Sequence, residues 1–142
     1  MILKRTLLVI IAVLLLVAGP LSCAPVEDQK EVLAFVDRYY DVLRNGDYEK
    51  LTFYYYSGFY DNLPQEQWLA RLKSYDEKYG IVTEHKLSSR NVDYTSGYVS
   101  GQLYYNLTYD VKRQNGSTVD QLVVRKAGQQ VEIISHQITV NE

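Results

Sequence analysis

"YVSGQLYYNLTYDVKRQNG", residues 98–116, is the stretch that decides the fold. From Val99 to Val111 every second residue is apolar or small, and polar side chains stand between them. This period of two is typical of a β-strand with one buried face. We therefore expect a strand over 98–111, with Gly101 inside it as a bulge or bend that lets the sheet curl. Asn115-Gly116 then predicts a hairpin with a type I′ turn.

Three more segments extend the pattern in both directions. After the hairpin we expect a strand from about Thr118 to Lys126, a turn at Ala127-Gly128 and a last strand over about Gln130 to Val140. A less regular strand, Val82 to Asp93, precedes the quoted stretch. Four consecutive strands joined by short turns predict an antiparallel sheet.

The residues before these strands show helical periodicity instead. In Asp28 to Asn45 the apolar residues recur at steps of three and four, as in Val32, Val36, Tyr39 or Tyr40, and Leu43. Asp28 is the expected N-cap, with Glu31 at the capping-box position. Gly46 suits the left-handed position just after the helix.

Two further helices are expected before the first strand. Asp47 should cap a short one over Tyr48 to about Tyr56, and Pro64 should lie in the first turn of the next. Gly80 ends that helix. Its shared face carries Trp68, Leu72, Tyr75 and Tyr79. The sequence thus predicts an α+β domain: about three N-terminal helices packed on a strongly bent four-stranded antiparallel sheet.

This order of elements resembles the nuclear-transport-factor-2-like superfamily, and the resemblance spans roughly residues 27–140. The matching marks are "FVDRYYDVLRNGDYEKL" with Asn45-Gly46-Asp47 between helices, and "LPQEQWLARLKSYDEKYG" with Trp68 in the helix that ends at Gly80. The resemblance implies a cone in which a bent sheet wraps around helices and leaves a pocket, and it favours small bacterial envelope proteins of the superfamily over its enzymes. The family's isomerases and cyclases use an acidic base in the cone, and no motif of this sequence maps onto that base. The aspartates that could take the role are expected in loops, at strand ends or on exposed strand faces: Asp61, Asp93, Asp110 and Asp120.

The N-terminal residues resemble a secretory signal. Lys4 and Arg5 precede an apolar run over 6–18, about thirteen residues against the roughly twenty of a spanning helix. Leu21-Ser22-Cys23 resembles a bacterial lipobox, although Pro20 stands where a leucine is usual.

Cys23, the one cysteine, is therefore predicted to carry the lipid anchor, diacylated and N-acylated. An uncleaved anchor or a plain leader with a chance cysteine are the alternatives. We expect a signal peptide over 1–22, the lipidated cysteine and a short tether over 23–29, and one domain over 30–142. The location would be the bacterial cell envelope, on the periplasmic side of the outer membrane where two membranes are present.

Composition narrows the classes of partner. Removal of Lys4 and Arg5 leaves 13 basic against 17 acidic side chains, a net charge of −4, which argues against nucleic-acid binding. We expect no metal and no cofactor, since His85, His136 and Cys23 have no metal-ligand spacing. No nucleophile arrangement or phosphate loop is present either.

"TFYYYSGFY", residues 52–60, is the densest aromatic cluster in a chain with 14 tyrosines. Such a cluster indicates either core packing or a ligand pocket, because tyrosine combines apolar area with a polar tip. His136 is expected to face the cone beside Ile134 and Ile138, either as a satisfied buried histidine or as a ligand contact, and His85 is expected at the surface. The candidate pocket residues are Tyr55, Tyr56, Phe59, Trp68, Tyr105 and His136.

The leading hypothesis is a membrane-anchored envelope lipoprotein whose cone domain binds a small apolar ligand or an envelope protein, without catalysis. A small pocket enzyme of the ketosteroid-isomerase or polyketide-cyclase type, working with His136 and a tyrosine, is one alternative. A structural accessory of an envelope complex is the other.

Overall fold

The computed structural model describes residues 26–94 and 101–141, and it has the expected α+β arrangement. Helices come first and a four-stranded antiparallel meander follows, in the spatial order β1-β2-β3-β4. The sheet is curled but not closed. The helices are α1 (Val26–Arg44), α2 (Tyr48–Leu51) and α3 (Gln65–Tyr79), and the strands are β1 (Val82–Tyr94), β2 (Gln102–Arg113), β3 (Gly116–Ala127) and β4 (Gln130–Val140).

Helix α1 buries the predicted stripe of Val32, Val36, Tyr39, Tyr40 and Leu43, and of the two residues expected to widen it Phe35 is buried and Val42 is partly buried. At its C-terminal end Gly46 adopts a φ of 71°, and its N–H donates to the Leu43 carbonyl at 3.0 Å. The Asp47 N–H donates to the Val42 carbonyl at 3.3 Å, which completes a Schellman motif. The predicted helix end is confirmed.

The predicted start of α1 is wrong. Asp28 lies inside the helix, which is helical from Val26, so Asp28 is a first-turn residue and not the N-cap. A carboxylate there still stabilises the helix through the partial positive charge of its N-terminus. Glu31 accepts a hydrogen bond from Lys126 Nζ at 2.6 Å, which ties α1 to β3.

The short helix predicted over Tyr48 to about Tyr56 ends early, at Leu51, before the aromatic segment over 52–60. After α2 the chain forms two 3₁₀ turns, Thr52–Tyr54 and Ser57–Asp61, with an extended link between them. The link exists because the Tyr56 N–H donates to the Ile133 carbonyl at 2.9 Å, which ties the segment to β4. Asp47 makes no side-chain cap for α2, because its carboxylate pairs with Lys50.

Helix α3 begins one residue after Pro64, whose carbonyl accepts from the Trp68 N–H at 3.1 Å. Pro64 is therefore the N-cap rather than a first-turn residue. Trp68 and Leu72 are buried, whereas Tyr75 and Tyr79 at the end of the predicted face are partly exposed. Gly80 ends the helix with a φ of 80°, as predicted.

The predicted alternation of the sheet is confirmed. In β2 and β3 every second side chain faces the helices, and these inward residues include Tyr105, Leu107, Tyr109, Val111, Leu122 and Val124. The residues predicted to begin this strand, 98–100, lie outside the described part of the chain. Strand β4 has the predicted bounds.

The hairpin between β2 and β3 differs from the prediction in its turn. Arg113 pairs with Gly116, so Gln114 and Asn115 form the loop, and neither has the positive φ that a type I′ turn requires. The α3 end holds this loop from outside: the Asn115 N–H donates to the Tyr79 carbonyl at 2.8 Å.

The source of the sheet's curvature also differs from the prediction. Gly101 precedes β2 in a turn with a φ of 97° and is not a bulge within the strand. Register shifts lie instead between Val82 and Glu84 and between Leu87 and Ser89 in β1, and at Ile134 of β4, which is the extra residue opposite Val123 and Val124. A bulge increases local twist and bends its strand, which accounts for the curl.

Candidate functional site

A cluster of hydrogen-bonded polar side chains fills the centre of the domain between α1, the aromatic segment and the sheet. Asp120 and His136 are wholly enclosed, each with a side chain 0% exposed. The members come from four segments and are Tyr39, Tyr40, Tyr55, Thr118, Asp120 and His136.

Asp120 is the acceptor at one end of this cluster. Its carboxylate accepts hydrogen bonds from Tyr40 Oη at 3.1 Å, Thr118 Oγ1 at 2.9 Å and His136 Nε2 at 3.2 Å. The expectation that Asp120 lies at an exposed position is therefore wrong. A buried carboxylate is tolerated only when donors satisfy it, and three donors do so here. The alternation of the strand indicates this burial, because Asp120 lies on the same strand face as the apolar residues Leu122 and Val124.

The tyrosines continue the cluster beyond the imidazole. Tyr55 Oη lies 2.9 Å from His136 Nδ1 and 2.8 Å from Tyr39 Oη. One arrangement of protons satisfies all these groups: Tyr39 donates to Tyr55, Tyr55 donates to Nδ1, and Nε2–H donates to Asp120. Burial raises the pKa of Tyr39 and of Tyr55 well above the ordinary value for tyrosine, so both keep their protons for this chain of bonds.

His136 faces inward as predicted, but its neighbour on that face is Ile133 rather than Ile134. Val124 pairs with Ile133 and Val123 pairs with Ser135, so Ile134 is an extra residue at a bulge. The bulge shifts the alternation by one, and Ile133 and His136 are both buried as a result.

His85 is not the surface residue that the sequence indicates. Its ring stacks on Tyr40 with centroids 4.4 Å apart, and its side chain is 15% exposed. Nε2 lies 2.9 Å from Asp37 Oδ1, and Arg44 lies within 3.5 Å of Nδ1. The alternation of the strand was the signal for this packing, because Glu84 and Lys86 lie on its exposed face and His85 therefore lies on the other.

An open cleft of about 720 Å³ lies outside this closed interior, between the aromatic segment and the β3–β4 hairpin. Of the six candidate pocket residues, Tyr55 and Tyr56 line it. Phe59 packs on the core beside the cleft, and Trp68, Tyr105 and His136 are buried in the core. The residues along the cleft are Thr52, Phe53, Tyr55, Tyr56, Ser57, Tyr60, Gln65, Arg125, Gln130 and Glu132.

The sheet side of the cleft is a connected polar wall. The Arg125 guanidinium lies over the Tyr56 ring, 4.5 Å from its centroid, and it pairs with the Glu132 carboxylate. Gln130 Nε2 donates to Glu132 Oε1 at 2.6 Å. Gly58 permits the ring's position, because a Cβ there would lie 2.4 Å from Tyr56 Cε1.

Tyr60 is one of eight cleft residues that are not among the candidates predicted from the sequence. Its hydroxyl is enclosed and makes no hydrogen bond within the described part of the chain. Partial burial raises the pKa of Tyr60 to about 12, so the group remains a donor at neutral pH. A ligand bonds to this donor where a shift of the Tyr60 ring, which lines the cleft, brings the hydroxyl to the cleft surface.

Among residues 26–94 and 101–141, no group of three or more His, Cys, Asp or Glu side chains is placed to hold a metal ion. Within the same residues no helix has the length and hydropathy to cross a membrane. The predicted signal peptide over 1–22 and the predicted lipidation of Cys23 lie outside the described residues.

No protein-family model and no curated protein matches the sequence. The fold is similar to a solved structure, that of Bdellovibrio bacteriovorus Bd1075, with a TM-score of 0.56 and 18% sequence identity. The match covers 82% of this chain but only 41% of the other. It concerns the fold alone, a helix packed with an antiparallel sheet, and it is compatible with the nuclear-transport-factor-2-like arrangement.

Proposed function

We propose that this chain is an envelope lipoprotein, anchored through lipid on Cys23, whose domain binds a small ligand in the open cleft without catalysing a reaction. Residues 1–23 support the anchor, because a positive start, a short apolar run and Leu21-Ser22-Cys23 follow the plan of a lipoprotein signal. The helix α1 begins three residues after Cys23 in the described chain, so the domain would stand close to the bilayer surface.

The observation that carries the binding proposal is the open cleft with its unpartnered Tyr60 hydroxyl. Its volume of about 720 Å³ falls within the range of small-molecule sites. Aromatic rings line one side and hydrogen-bonding groups converge from the other, as in sites that orient a ligand.

The pocket-enzyme alternative has its support in the His136–Asp120 pair, which is an arrangement that catalysts use. Both side chains are 0% exposed, however, and every nitrogen and oxygen of the pair already faces a protein partner. A substrate would have to displace Tyr55 to reach the imidazole. Binding in the cleft is therefore the better-supported proposal.

The anchor is tested by fractionation and mass spectrometry of the full chain expressed in a bacterium. We expect a mature N-terminal peptide that begins with triacylated Cys23, and membrane association that Cys23→Ser abolishes. Gln29→Asn is the matched control, because it changes a nearby polar side chain outside the lipobox without removing the thiol. An unmodified Cys23, or a Cys23→Ser variant that stays with the membrane, would contradict the proposal.

The binding site is tested by a fragment screen observed through the protein's own NMR signals. Shifts caused by fragments should gather on Tyr56, Tyr60 and Arg125. A second concave area on the outer sheet face, about 310 Å³ beside Asn106 and Gln121, serves as the internal comparison. Fragments that gather there, or that shift no cleft signal, would count against the cleft as a ligand site.

A further inference from the structure

The walls of the cleft restrict the chemistry of its ligand. Arg125 and Glu132 are the two charged side chains along it, and they are paired with each other. The pair has no net charge and attracts neither kind of ion. An anion in the cleft is repelled by the Glu132 carboxylate, and a cation is repelled by the Arg125 guanidinium. The wall favours a ligand without net charge.

The cleft also presents flat aromatic faces to solvent. Phe53 is 84% exposed and Tyr56 is 37% exposed, and both lie along the same cleft. Arg125 covers one face of Tyr56 and holds that ring in place. The face of an aromatic ring is electron-rich and attracts weakly positive C–H bonds, such as those that line the flat face of a sugar ring.

The remaining lining groups are hydrogen-bonding and uncharged. Gln65 and Gln130 each carry both donors and acceptors, Ser57 and Thr52 carry hydroxyls, and Tyr60 contributes the enclosed donor. A purely apolar ligand would cover these groups without replacing their bonds to water, which is unfavourable. A ligand rich in hydroxyls would satisfy them, because a hydroxyl both donates and accepts.

We propose that the cleft binds a neutral oligosaccharide, whose ring stacks on Tyr56 or Phe53 while its hydroxyls bond to Tyr60 and the glutamines. This inference rests on the proposed function, since it names the ligand class of the same cleft. The cleft is open to solvent, so it leaves room for a glycan chain longer than the bound segment.

The test is calorimetric titration of the full-length chain in a detergent that has no sugar headgroup. The neutral probes are chitotetraose, cellotetraose and maltotetraose, the charged probe is tetragalacturonate, and the apolar probe is decanol. We expect at least one neutral probe to bind more tightly than the charged and apolar probes.

Two variants locate the binding. Tyr56→Ala removes the stacking face and should weaken binding about tenfold. Tyr60→Phe removes a single hydroxyl and should weaken it about fivefold. Ile81→Ala, an exposed apolar truncation away from the cleft lining, and Tyr79→Phe, a hydroxyl removal at the end of α3 away from the same lining, are the matched controls and should leave the affinity unchanged. Unchanged urea midpoints show that both cleft variants remain folded.

Three results would overturn the inference: no neutral probe binds, a neutral probe binds equally well to both cleft variants, or the charged or apolar probe binds more tightly. The fragment screen separates this failure from that of the proposed function. Fragments that gather on the cleft while no sugar binds leave a ligand site of another chemistry. If no fragment gathers on the cleft and no sugar binds, the cleft is not a ligand site.

Discussion

Replacing Asp120 by asparagine keeps the shape of the side chain and removes its charge and one of its two acceptor oxygens. In the wild-type domain this carboxylate accepts from Tyr40, Thr118 and His136, at 2.9 to 3.2 Å. In the variant the amide nitrogen must face one of these donors, since all three already point at the position.

The magnitude follows from these bonds. Two bonds to a charged acceptor, each contributing about 1.5–3 kcal/mol, become bonds to a neutral one of about 0.5–1.5 kcal/mol. The third donor loses its acceptor, although the Thr118 hydroxyl can turn and accept from the amide. We expect Asp120→Asn to lower the free energy of unfolding by about 2–4 kcal/mol, a large share of the 5–15 kcal/mol typical of a domain.

The assay is urea unfolding followed by the fluorescence of Trp68, the one tryptophan, whose ring lies 5.3 Å from His136. Circular dichroism should give the same midpoint if unfolding is two-state. Asp110→Asn is the matched control on the neighbouring strand, because Asp110 is exposed, and it should change the stability by less than about 0.5 kcal/mol.

A double-mutant cycle with His136→Phe tests the pair itself. Residues within one hydrogen-bond network should couple by about 1–3 kcal/mol. The reasoning would be refuted if Asp120→Asn cost no more than the Asp110→Asn control, or if the two changes were additive within about 0.5 kcal/mol.

Alkaline solution should destabilise the domain through three of its buried tyrosines, whose pKa values burial raises well above the ordinary value: Tyr39, Tyr40 and Tyr55. Their contribution to the free energy of unfolding is fully present below the pKa of an unfolded tyrosine, near pH 10. It is lost as the pH rises from there toward the folded pKa, by up to about 4 kcal/mol per pH unit for the three. A urea midpoint unchanged between about pH 9 and pH 11 would contradict this. Gly80→Ala should cost about 1–3 kcal/mol, since the φ is 80° and the new Cβ would lie 2.6 Å from Gln114 Cβ. Gly128→Ala, whose Cβ meets nothing within 4 Å, should cost less in the same urea assay. Tyr55→Phe keeps the ring at the cleft but leaves the His136 Nδ1 without its donor, so it should lower the free energy of unfolding by about 1–3 kcal/mol while NMR shows the cleft signals in place.

The helices and strands were predictable because their periods are imposed by burial on one face. The alternation along β2 identified the inward residues, and Gly46 and Gly80 marked the helix ends through a conformation that glycine adopts most readily. Neither inference required knowledge of a distant partner. The same holds for His136, whose place in a strand was enough to direct it inward.

Three of the errors share one physical cause, which is a contact made far along the chain. Tyr55 and Tyr56 leave the helix because β4 offers the Ile133 carbonyl, and nothing near them in sequence announces that bond. Ile133 replaces Ile134 on the inner face because of a bulge opposite β3. The burial of Asp120 depends on three donors from two other segments and its own strand. The pattern of neighbouring residues in the sequence does not predict which distant residues these groups will contact.

Tyr55 connects the two parts of the candidate site. Its hydroxyl is held by His136 and Tyr39 in the closed interior, while the residue lines the open cleft. The backbone beside it is fixed to β4 through the Tyr56 N–H. Because the buried bonds fix Tyr55 and the strand fixes Tyr56, the aromatic wall of the cleft is set before any ligand arrives. If the cleft binds a ligand as proposed, a site that is already in place loses little conformational entropy on binding, and the polar cluster would serve recognition without touching the ligand.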